Sequence, residues 1–552
     1  MARASVEAAP TTGEGTSKRP NTTMTQVKVL IADHLSEDGI KILKDEPGLA
    51  VDIKTGLSPK DLAAIIGPYE GLVVRSATKV TAEVIAKADH LRVIGRAGVG
   101  LDNVDADAAT KRGIVVMNVP AGNTISTAEH TLSMIMACAR RIPQADAHLR
   151  AGLWERSKFV GTELFGKTLG IVGMGKIGTE VAKRAQSFGM RIIAHDPFLS
   201  TERAQQLDVQ MTDLPTLYQE ADFITVHTPL TADTKHLIGA NEIAMMKKGV
   251  RLINCARGGI IDEHALAQAI TAGHVAGAAI DVFEEEPPKN HPLTKLDQVV
   301  CTPHLGASTQ EAQLNVAIEV AKQVADALLG RGIRNAVNMP SVDAKTLKIL
   351  QPYITLGEKL GSLASQLSGG QVEEVRVTYV GELTAYDTSA VTLAVLKGIL
   401  APMVGESVNY VNASLIAAER GVKVVEAKTN KLEEFANLLA LEVRSNGASL
   451  ALQGTLSARR QPRIVKIDRY FVEASPEGYM LIIKNQDKPG LIGQLGTLLG
   501  EAKINIAGMT NGREQPGGEA ITVVNIDHPV PPKVLEQVKK LNHVLDAKLI
   551  TL

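Results

Sequence analysis

The sequence predicts an α/β protein in which two doubly wound parallel lobes precede a mixed α/β domain and a small βαββαβ unit. Strand-like and helix-like segments alternate from residue 27 to about residue 330, which is the pattern of parallel α/β units. The chain has 552 residues, too many for one hydrophobic core. Aromatic residues make up only 3% of it, and abundant small aliphatic residues are typical of parallel sheets covered by helices.

The composition argues against several classes of partner. The formal net charge is −1 and no long run of Lys or Arg occurs, so neither a nucleic acid nor a membrane surface is expected as a partner. No apolar stretch approaches the length of a transmembrane helix. The three cysteines are scattered through apolar segments, which indicates reduced thiols and a cytoplasmic location.

Residues 1–23 differ from the rest of the chain. They are rich in Ala, Thr, Ser, Gly and Pro and show no apolar periodicity, so a disordered extension is predicted. Glu7 and Glu14 are unusual in an organellar transit peptide, which tends to lack acids. Organellar targeting stays open as the alternative.

Residues 24–122 and 308–337 are predicted to form a substrate-binding lobe. The five strand-like segments of its first part contain no dinucleotide fingerprint. Beyond Ser308, which has capping-box spacing to Glu311, apolar residues recur at helical spacing until Gly330. We expect this helix to cross back to the first lobe and make it discontinuous.

Residues 123–307 are predicted to form a Rossmann-like NAD-binding domain. An apolar run leads into Gly173-x-Gly175-x-x-Gly178, a helical pattern follows, and a second apolar run leads to Asp196. The glycines permit a tight turn and close approach to a pyrophosphate, and the helix N-terminus favours that anion. Asp196 can bind both ribose hydroxyls and would repel the 2′-phosphate of NADP, so the cofactor is predicted to be NAD.

Three residues at strand ends of this domain supply a chemistry. Arg257 can hold a carboxylate and polarise a carbonyl, His304 can act as a general base near neutral pH, and Glu286 can orient the imidazole. Taken singly, each is more often a surface ion pair, a solvated loop residue or a locally bonded histidine. Cys301-x-x-His304 could be half a zinc site, but no second pair has suitable spacing, so no metal is expected.

The remaining chain divides into two parts. Residues 335–340 are predicted to be a linker, and residues 341–475 are predicted to form a mixed α/β domain without an obvious catalytic cluster. Residues 476–552 show the order strand, helix, strand, strand, helix, strand. That order predicts a ferredoxin-like βαββαβ fold, compact and separate from what precedes it.

The motifs resemble the D-2-hydroxyacid dehydrogenase family. The resemblance rests on Gly173-Met-Gly-Lys-Ile-Gly178, Asn254-Cys-Ala-Arg-Gly-Gly259, Asp281-Val-Phe-Glu-Glu-Glu-Pro-Pro288 and Pro303-His-Leu-Gly-Ala-Ser-Thr309. It extends over nearly everything from residue 26 to the end. The resemblance implies that Arg257, Glu286 and His304 are the catalytic set, in agreement with the chemistry above. It also implies an intervening domain over residues 341–475, with features of an allosteric substrate-binding domain, and an ACT regulatory domain over residues 476–552.

The resemblance also implies binding residues for each ligand. For NAD they are Val99, Gly173, Gly175, Lys176, Ile177, Gly178, Asp196, Thr228, Cys255, Ala256, Arg257, Asp281, His304, Gly306 and Ala307. For the substrate phosphate and carboxylate they are Arg75, Ser76, the Arg96–Gly100 loop, Asn123 and Arg257. For an effector of the ACT domain, with L-serine as the candidate, they are Asn485, Asp487 and Asn505.

The resemblance implies NAD-dependent oxidation of 3-phospho-D-glycerate to 3-phosphohydroxypyruvate, the opening step of the phosphorylated L-serine pathway, in a homo-oligomer (dimer or tetramer). One alternative keeps the chemistry and changes the substrate to glyoxylate, hydroxypyruvate or 2-oxoglutarate. Another is a non-catalytic scaffold that senses NAD(H). The ACT-like tail favours biosynthetic control over both.

Overall fold

The computed structural model describes residues 26–342, 344–431 and 435–552. The predicted N-terminal extension, residues 1–23, lies outside them. The first lobe is a parallel sheet in the order β2-β1-β3-β4-β5. Its strands are β1 (Val27–Ile31), β2 (Leu49–Ile53), β3 (Gly71–Val74), β4 (Val93–Arg96) and β5 (Val115–Met117). Its helices are α1 (Glu37–Lys44), α2 (Pro59–Ile65), α3 (Ala82–Ala86) and α4 (Ala106–Lys111).

The second lobe is a seven-stranded parallel sheet in the order β12-β11-β10-β9-β6-β7-β8. The strands are β6 (Thr168–Val172), β7 (Arg191–His195), β8 (Gln210–Met211), β9 (Phe223–Val226), β10 (Val250–Asn254), β11 (Val275–Ile280) and β12 (Val299–Cys301). The helices are α5 (Thr124–Arg140), α6 (Ile142–Arg150), α7 (Lys176–Ser187), α8 (Thr201–Gln206), α9 (Leu214–Glu220), α10 (Ala240–Met245) and α11 (Glu263–Thr271). The strand order reverses between β6 and β9, where doubly wound sheets bind ligands.

Helix α12 (Gln310–Leu328) returns to the first lobe. It packs on α1, β3 and β4, and a Cβ at Gly95 would lie only 2.4 Å from the Val324 side chain. The helix begins one residue later than a Ser308 cap would require, because the Thr309 side chain accepts the backbone N–H of Ala312. The predicted Ser308 capping box is therefore wrong, although the predicted helix is present.

The third domain combines helices with a mixed sheet in the order β14-β13-β15-β16-β17-β18. Its helices are α13 (Ala344–Ser368), α14 (Ser389–Val404) and α15 (Ala413–Glu419). Its strands are β13 (Val372–Gly381), β14 (Lys423–Thr429), β15 (Asn437–Ser445), β16 (Ala448–Leu456), β17 (Pro462–Ile467) and β18 (Tyr470–Ala474). Asn409 Nδ2 donates to the Gly113 carbonyl at 2.8 Å, and Val411 joins the core of the first lobe, so this domain docks on the first lobe.

The C-terminal domain has the predicted βαββαβ order, and its antiparallel sheet runs β20-β21-β19-β22. Its elements are β19 (Tyr479–Gln486), α16 (Leu491–Glu501), β20 (Ile506–Arg513), β21 (Glu519–Ile526), α17 (Pro532–Lys539) and β22 (Val544–Thr551). The fold class predicted from the sequence is thereby confirmed for all four parts.

The C-terminal sheet is buried on both faces. Leu481 and Ile483 pack under its own helices, whereas Met480 and Ile482 belong to the hydrophobic core of the third domain. One face of this sheet therefore completes the core of the neighbouring third domain. No helix of the described residues is long and apolar enough to cross a membrane.

Candidate active site

The glycine loop between β6 and α7 has the shape of a pyrophosphate cradle. Gly173 has φ +96°, and a Cβ at Gly178 would lie 2.1 Å from the Gly173 carbonyl oxygen, so side chains are excluded at both positions. A Cβ at Gly175 would meet nothing within 4 Å, which leaves room beside the loop. Lys176 and Ile177 form the first turn of α7, whose N-terminus favours an anion.

The surroundings of this loop fit a dinucleotide. Asp196 follows β7, and its Oδ2 accepts the backbone N–H of Met174 in the glycine loop at 2.7 Å. A carboxylate there suits ribose hydroxyls and disfavours a 2′-phosphate. Thr228 follows β9, and its Oγ1 is buried without a hydrogen-bond partner in the described part of the chain. Buried polar atoms are almost always hydrogen-bonded, so this hydroxyl is suited to a bound ligand.

Glu286 and His304 form a hydrogen-bonded pair at the mouth of the cleft. Glu286 Oε2 lies 2.9 Å from His304 Nδ1, and the other carboxylate oxygen accepts the backbone N–H of Phe283 at 3.2 Å. The bond to Glu286 raises the pKa of His304, although burial opposes the rise. Burial also opposes a fall in the pKa of Glu286, yet the bond to His304 lowers it. The imidazole therefore directs Nδ1–H at Glu286 and leaves Nε2 for another proton partner.

Arg257 occupies the turn after β10 and bridges the two lobes. Its Nε lies 3.1 Å from Oδ2 of Asp102 in the first lobe, an ion-pair distance, and its Nη1 donates to the Ala256 carbonyl at 2.6 Å. The preceding residues are packed beneath it: Cys255 is buried, and the Ala256 N–H bonds Asn254 Oδ1 at 3.0 Å. Burial raises the pKa of the Cys255 thiol, so that residue contributes shape rather than charge.

Asp281 organises the loop that carries His304. Its buried carboxylate accepts the hydroxyl of Thr302 at 2.6 Å and the backbone N–H groups of Leu305 at 2.7 Å and Gly306 at 2.9 Å. His130 Nε2 lies 3.1 Å from the same carboxylate. In this structure Asp281 therefore acts on the loop, and its predicted contact with NAD stays a prediction.

The cleft between the lobes has a volume of about 650 Å³. Residues predicted to bind NAD or substrate that line it are Arg75, Ser76, Val99, Asn123, Arg257, Glu286, His304 and Ala307. Asn123 Oδ1 is buried without a hydrogen-bond partner in the described ranges. Arg75 Nη1 donates to the His34 carbonyl at 3.2 Å, which holds this guanidinium at the end of β3.

The Arg96–Gly100 loop, which the resemblance implies for substrate binding, also lines the cleft. Burial, and next the charge of Arg257, lowers the pKa of Arg96 to about 10, so Arg96 remains a cation at neutral pH. Lys79 and Gln313 are among the polar lining residues that were not predicted. Neither lies at the end of a strand, so the strand-end reasoning that identified Arg257 does not reach them.

The predicted effector residues are not brought together within one chain. Asn485 is buried, and its Oδ1 accepts the Thr522 hydroxyl at 2.9 Å. Asp487 accepts from Arg513 at 2.7 Å. Asn505 donates to Asp527 at the opposite end of the sheet, roughly 20 Å away at about 3.3 Å per residue given the strand register. The three residues therefore do not form one site within a single chain, and their role as effector ligands stays a prediction.

Comparisons with known proteins agree with this geometry. Family models match residues 132–306 as D-isomer specific 2-hydroxyacid dehydrogenase, NAD binding domain, residues 349–468 as D-3-phosphoglycerate dehydrogenase intervening domain and residues 479–543 as ACT domain. The D-3-phosphoglycerate dehydrogenase of Archaeoglobus fulgidus is 48% identical over 529 residues, which are 95% of this chain and 100% of the relative. The chain belongs to the D-3-phosphoglycerate dehydrogenase family.

Other members and relatives extend the comparison. D-3-phosphoglycerate dehydrogenase 2, chloroplastic, of Arabidopsis thaliana is 42% identical over 536 residues, covering 94% of this chain and 86% of the relative. The crystal structure of the TT0316 protein from Thermus thermophilus superposes with a TM-score of 0.53 at 37% identity, over 56% of this chain and 100% of that one. Membership of the D-3-phosphoglycerate dehydrogenase family makes this chain an NAD-dependent oxidoreductase with an intervening domain and an ACT domain.

Proposed function

We propose that the protein oxidises 3-phospho-D-glycerate to 3-phosphohydroxypyruvate with NAD, as the first step of phosphorylated L-serine biosynthesis. The observation that carries this proposal is the His304–Glu286 pair, which shares one cleft with Arg257 and with Arg75 and Arg96 of the first lobe. A substrate with both a carboxylate and a phosphate suits so many cations, since guanidinium groups bind both anions in bidentate fashion.

The residues divide the work as follows. Arg257 holds the substrate carboxylate and polarises the oxygen on C2 as it becomes a carbonyl. His304 Nε2 accepts the proton of the C2 hydroxyl, while Glu286 keeps Nδ1 protonated and stabilises the imidazolium that forms. NAD, when bound, supplies the hydride acceptor. Arg75, Ser76 and Asn123 orient the substrate from the first lobe.

The test is NAD reduction by the purified full-length protein with 3-phosphoglycerate, D-lactate, D-glycerate and 2-hydroxyglutarate. Coupling to phosphoserine aminotransferase pulls an unfavourable oxidation forward. Clear preference for 3-phosphoglycerate is the expected result. Turnover of another acid in preference would instead identify a different 2-hydroxyacid dehydrogenase, and NADH binding without turnover of any acid would favour the scaffold.

We also propose that the protein is a homo-oligomer, a dimer or tetramer. Large apolar side chains stand exposed on α6 and the segment after it: Ile142, Leu149, Leu153, Trp154, Val160 and Phe165. Large exposed apolar side chains concentrated in one segment are typical of an association surface, and a second copy of the chain is the occupant we propose. Trp154→Glu is expected to shift the sedimentation coefficient to that of a smaller species, and an unchanged coefficient would reject this surface.

L-serine is the proposed effector of the ACT domain, and the cytoplasm is the proposed location. An assay of the same oxidation with and without L-serine tests the effector, with a fall in rate as the expected result. Because the predicted contact residues lie at opposite ends of the sheet in one chain, a site containing both would need two copies of this domain. Loss of the serine response in an oligomer-breaking variant would support that arrangement.

A further inference from the structure

A buried carboxylate in contact with a histidine lies beneath the two loops that carry Arg257 and Glu286. Glu263, the first residue of α11, is only 5% exposed. Its Oε2 lies 2.9 Å from Nε2 of His291, and its Oε1 accepts the backbone N–H of Glu284 at 2.8 Å. A buried carboxylate is costly unless it is fully bonded, so this arrangement needs an explanation.

Glu263 is placed to fix both loops at once. It follows Arg257 by six residues at the end of the same turn, while its bond to Glu284 reaches the loop of Glu286. The two loops are also in direct backbone contact, because a Cβ at Gly258 would lie 2.0 Å from the Phe283 carbonyl carbon. The carboxylate therefore lies where a shift of either loop would break one of its bonds.

His291 contacts the Glu263 carboxylate from the far end of the Glu286 loop. Its Nδ1 accepts the backbone N–H of Leu293 at 3.3 Å, so the proton of the neutral ring lies on Nε2, the nitrogen that is 2.9 Å from Glu263 Oε2. The ring packs edge-to-face on Phe283, with centroids 5.4 Å apart. Residues 284 and 291 thereby both contact one carboxylate, and Glu286 lies between them.

We infer that Glu263 and His291 are positioning residues that hold Glu286 in hydrogen-bond contact with His304. The inference rests on the proposed roles of Glu286 and His304 and extends them to residues that do not line the cleft. Neither Glu263 nor His291 touches the reacting atoms, so both act through the loop. A small displacement of an orienting group can lower a rate by about 10²-fold.

The inference is tested in the full-length enzyme with Glu263→Gln. The amide oxygen can still accept the Glu284 N–H, but the amide N–H₂ group then faces the Nε2–H of His291. Because two donors cannot bond each other, the contact between residue 263 and His291 is lost. We expect kcat to fall about 10- to 100-fold, with the Kd for NADH within about two-fold of wild type. The matched control is Glu242→Gln, since Glu242 also accepts a backbone N–H, that of Gly239, in the first turn of the neighbouring helix α10.

The pH profile separates positioning from simple loss of folded enzyme. His304 must be neutral to accept a proton, and its pKa is raised by Glu286, with Asp281 and Arg257 as the other charges that act on it. If Glu286 drifts away, that pKa falls, and the midpoint of kcat/KM for oxidation moves to lower pH in Glu263→Gln, as it does in Glu286→Gln. A loss of rate in proportion to lost NADH-binding sites, with an unmoved midpoint, would overturn the inference.

A second pair of variants decides the matter if Glu263→Gln does not fold. His291→Gln keeps an N–H donor for Glu263 and is expected to retain most activity, whereas His291→Leu is expected to lose rate and shift the midpoint. Equal activity of His291→Gln and His291→Leu would reject the positioning role inferred for Glu263 and His291. If Glu286→Gln itself leaves the midpoint unmoved, the proposed role of Glu286 fails. If Glu286→Gln moves the midpoint but the Glu263 and His291 variants do not, the proposed role of Glu286 stands and only the positioning role of Glu263 and His291 fails.

Discussion

The catalytic cleft and the ACT domain use similar polar residues in opposite ways. In the cleft, Thr228 Oγ1 and Asn123 Oδ1 are buried without hydrogen-bond partners in the described residues. In the ACT domain, Asn485 and Asp487 are bonded to side chains of the same sheet. The cleft therefore presents preorganised groups to a ligand, whereas a ligand at the ACT residues has to exchange bonds that already exist.

This difference predicts where mutations act. Removing a polar group that has no hydrogen-bond partner within the protein is expected to affect turnover. It is expected to leave the free energy of unfolding unchanged, because no bond within the protein is lost. Removing a group that is already paired leaves its partner unsatisfied in a buried place. Four substitutions compare the two regions, from the largest expected effect to the smallest, and they include Arg257 and Glu286, cleft residues that are paired within the protein and also serve the substrate.

Arg257→Ala is expected to lower kcat/KM by about 10²- to 10³-fold, the loss typical for one group that stabilises developing charge. NADH binding, measured by fluorescence titration, is expected to stay within about two-fold of wild type. Arg257→Lys is the matched variant: it keeps the charge and loses the bidentate fork, so an intermediate activity is expected. Retained activity in Arg257→Ala would remove Arg257 from the mechanism.

Glu286→Gln is expected to lower kcat about 10- to 10²-fold and to move the pH profile. The charge of Glu286 raises the pKa of His304, and Gln lacks that charge. Oxidation needs neutral His304, so its activity rises with pH through this pKa, and the midpoint moves to lower pH in the variant. Reduction of the keto acid needs the imidazolium, so that activity falls with rising pH and its midpoint moves the same way. Opposite shifts would contradict the role of Glu286.

The strand-end chemistry was predictable because doubly wound sheets gather the C-terminal ends of their strands at one edge. That rule alone places Arg257, Glu286 and His304 near the glycine loop. The burial of the ACT sheet on both faces left a signal that the sequence interpretation did not use. Residues 480–483 form an unbroken apolar run, which indicates a strand covered on both sides rather than on one.

Other features had no usable signal in the sequence. The separation of Asn485 from Asn505 depends on strand register, which is set by pairing across the sheet and not by spacing along the chain. The Asp281 carboxylate accepts hydrogen bonds from Thr302 and from the Leu305 and Gly306 amides. These bonds depend on how residues 302–306 fold back over Asp281, which the sequence does not indicate. Glu263 resembles any acid in a first helical turn until the tertiary structure buries it.

Asn485→Ala is expected to act on stability rather than turnover. Loss of its Oδ1 leaves the Thr522 hydroxyl with Asn511 Oδ1, 3.1 Å away, as its acceptor, so the cost is that of one buried hydrogen bond, about 0.5–1.5 kcal/mol. Hydrogen exchange of the β19 and β21 amides measures this locally, with kcat unchanged. Asn505→Ala is the control, because Asn505 is exposed and surface changes are usually within about 0.5 kcal/mol. If Asn485→Ala left the hydrogen exchange of these amides unchanged and altered only the response to L-serine, Asn485 would be a ligand-binding residue like those of the cleft. That result would contradict the difference drawn between the cleft and the ACT domain.

Asp102→Asn tests whether the contrast also holds inside the cleft. Asp102 is the only carboxylate in ion-pair contact with Arg257 among the described residues, and it is 67% exposed. Exposed ion pairs contribute about 0–1 kcal/mol, so Asp102 competes only weakly with a substrate carboxylate for the guanidinium. Removing its charge is expected to lower the KM for the hydroxy acid by up to about five-fold with little change in kcat. A rise in KM would show instead that Asp102 orients Arg257 for binding, as Glu286 is proposed to orient His304.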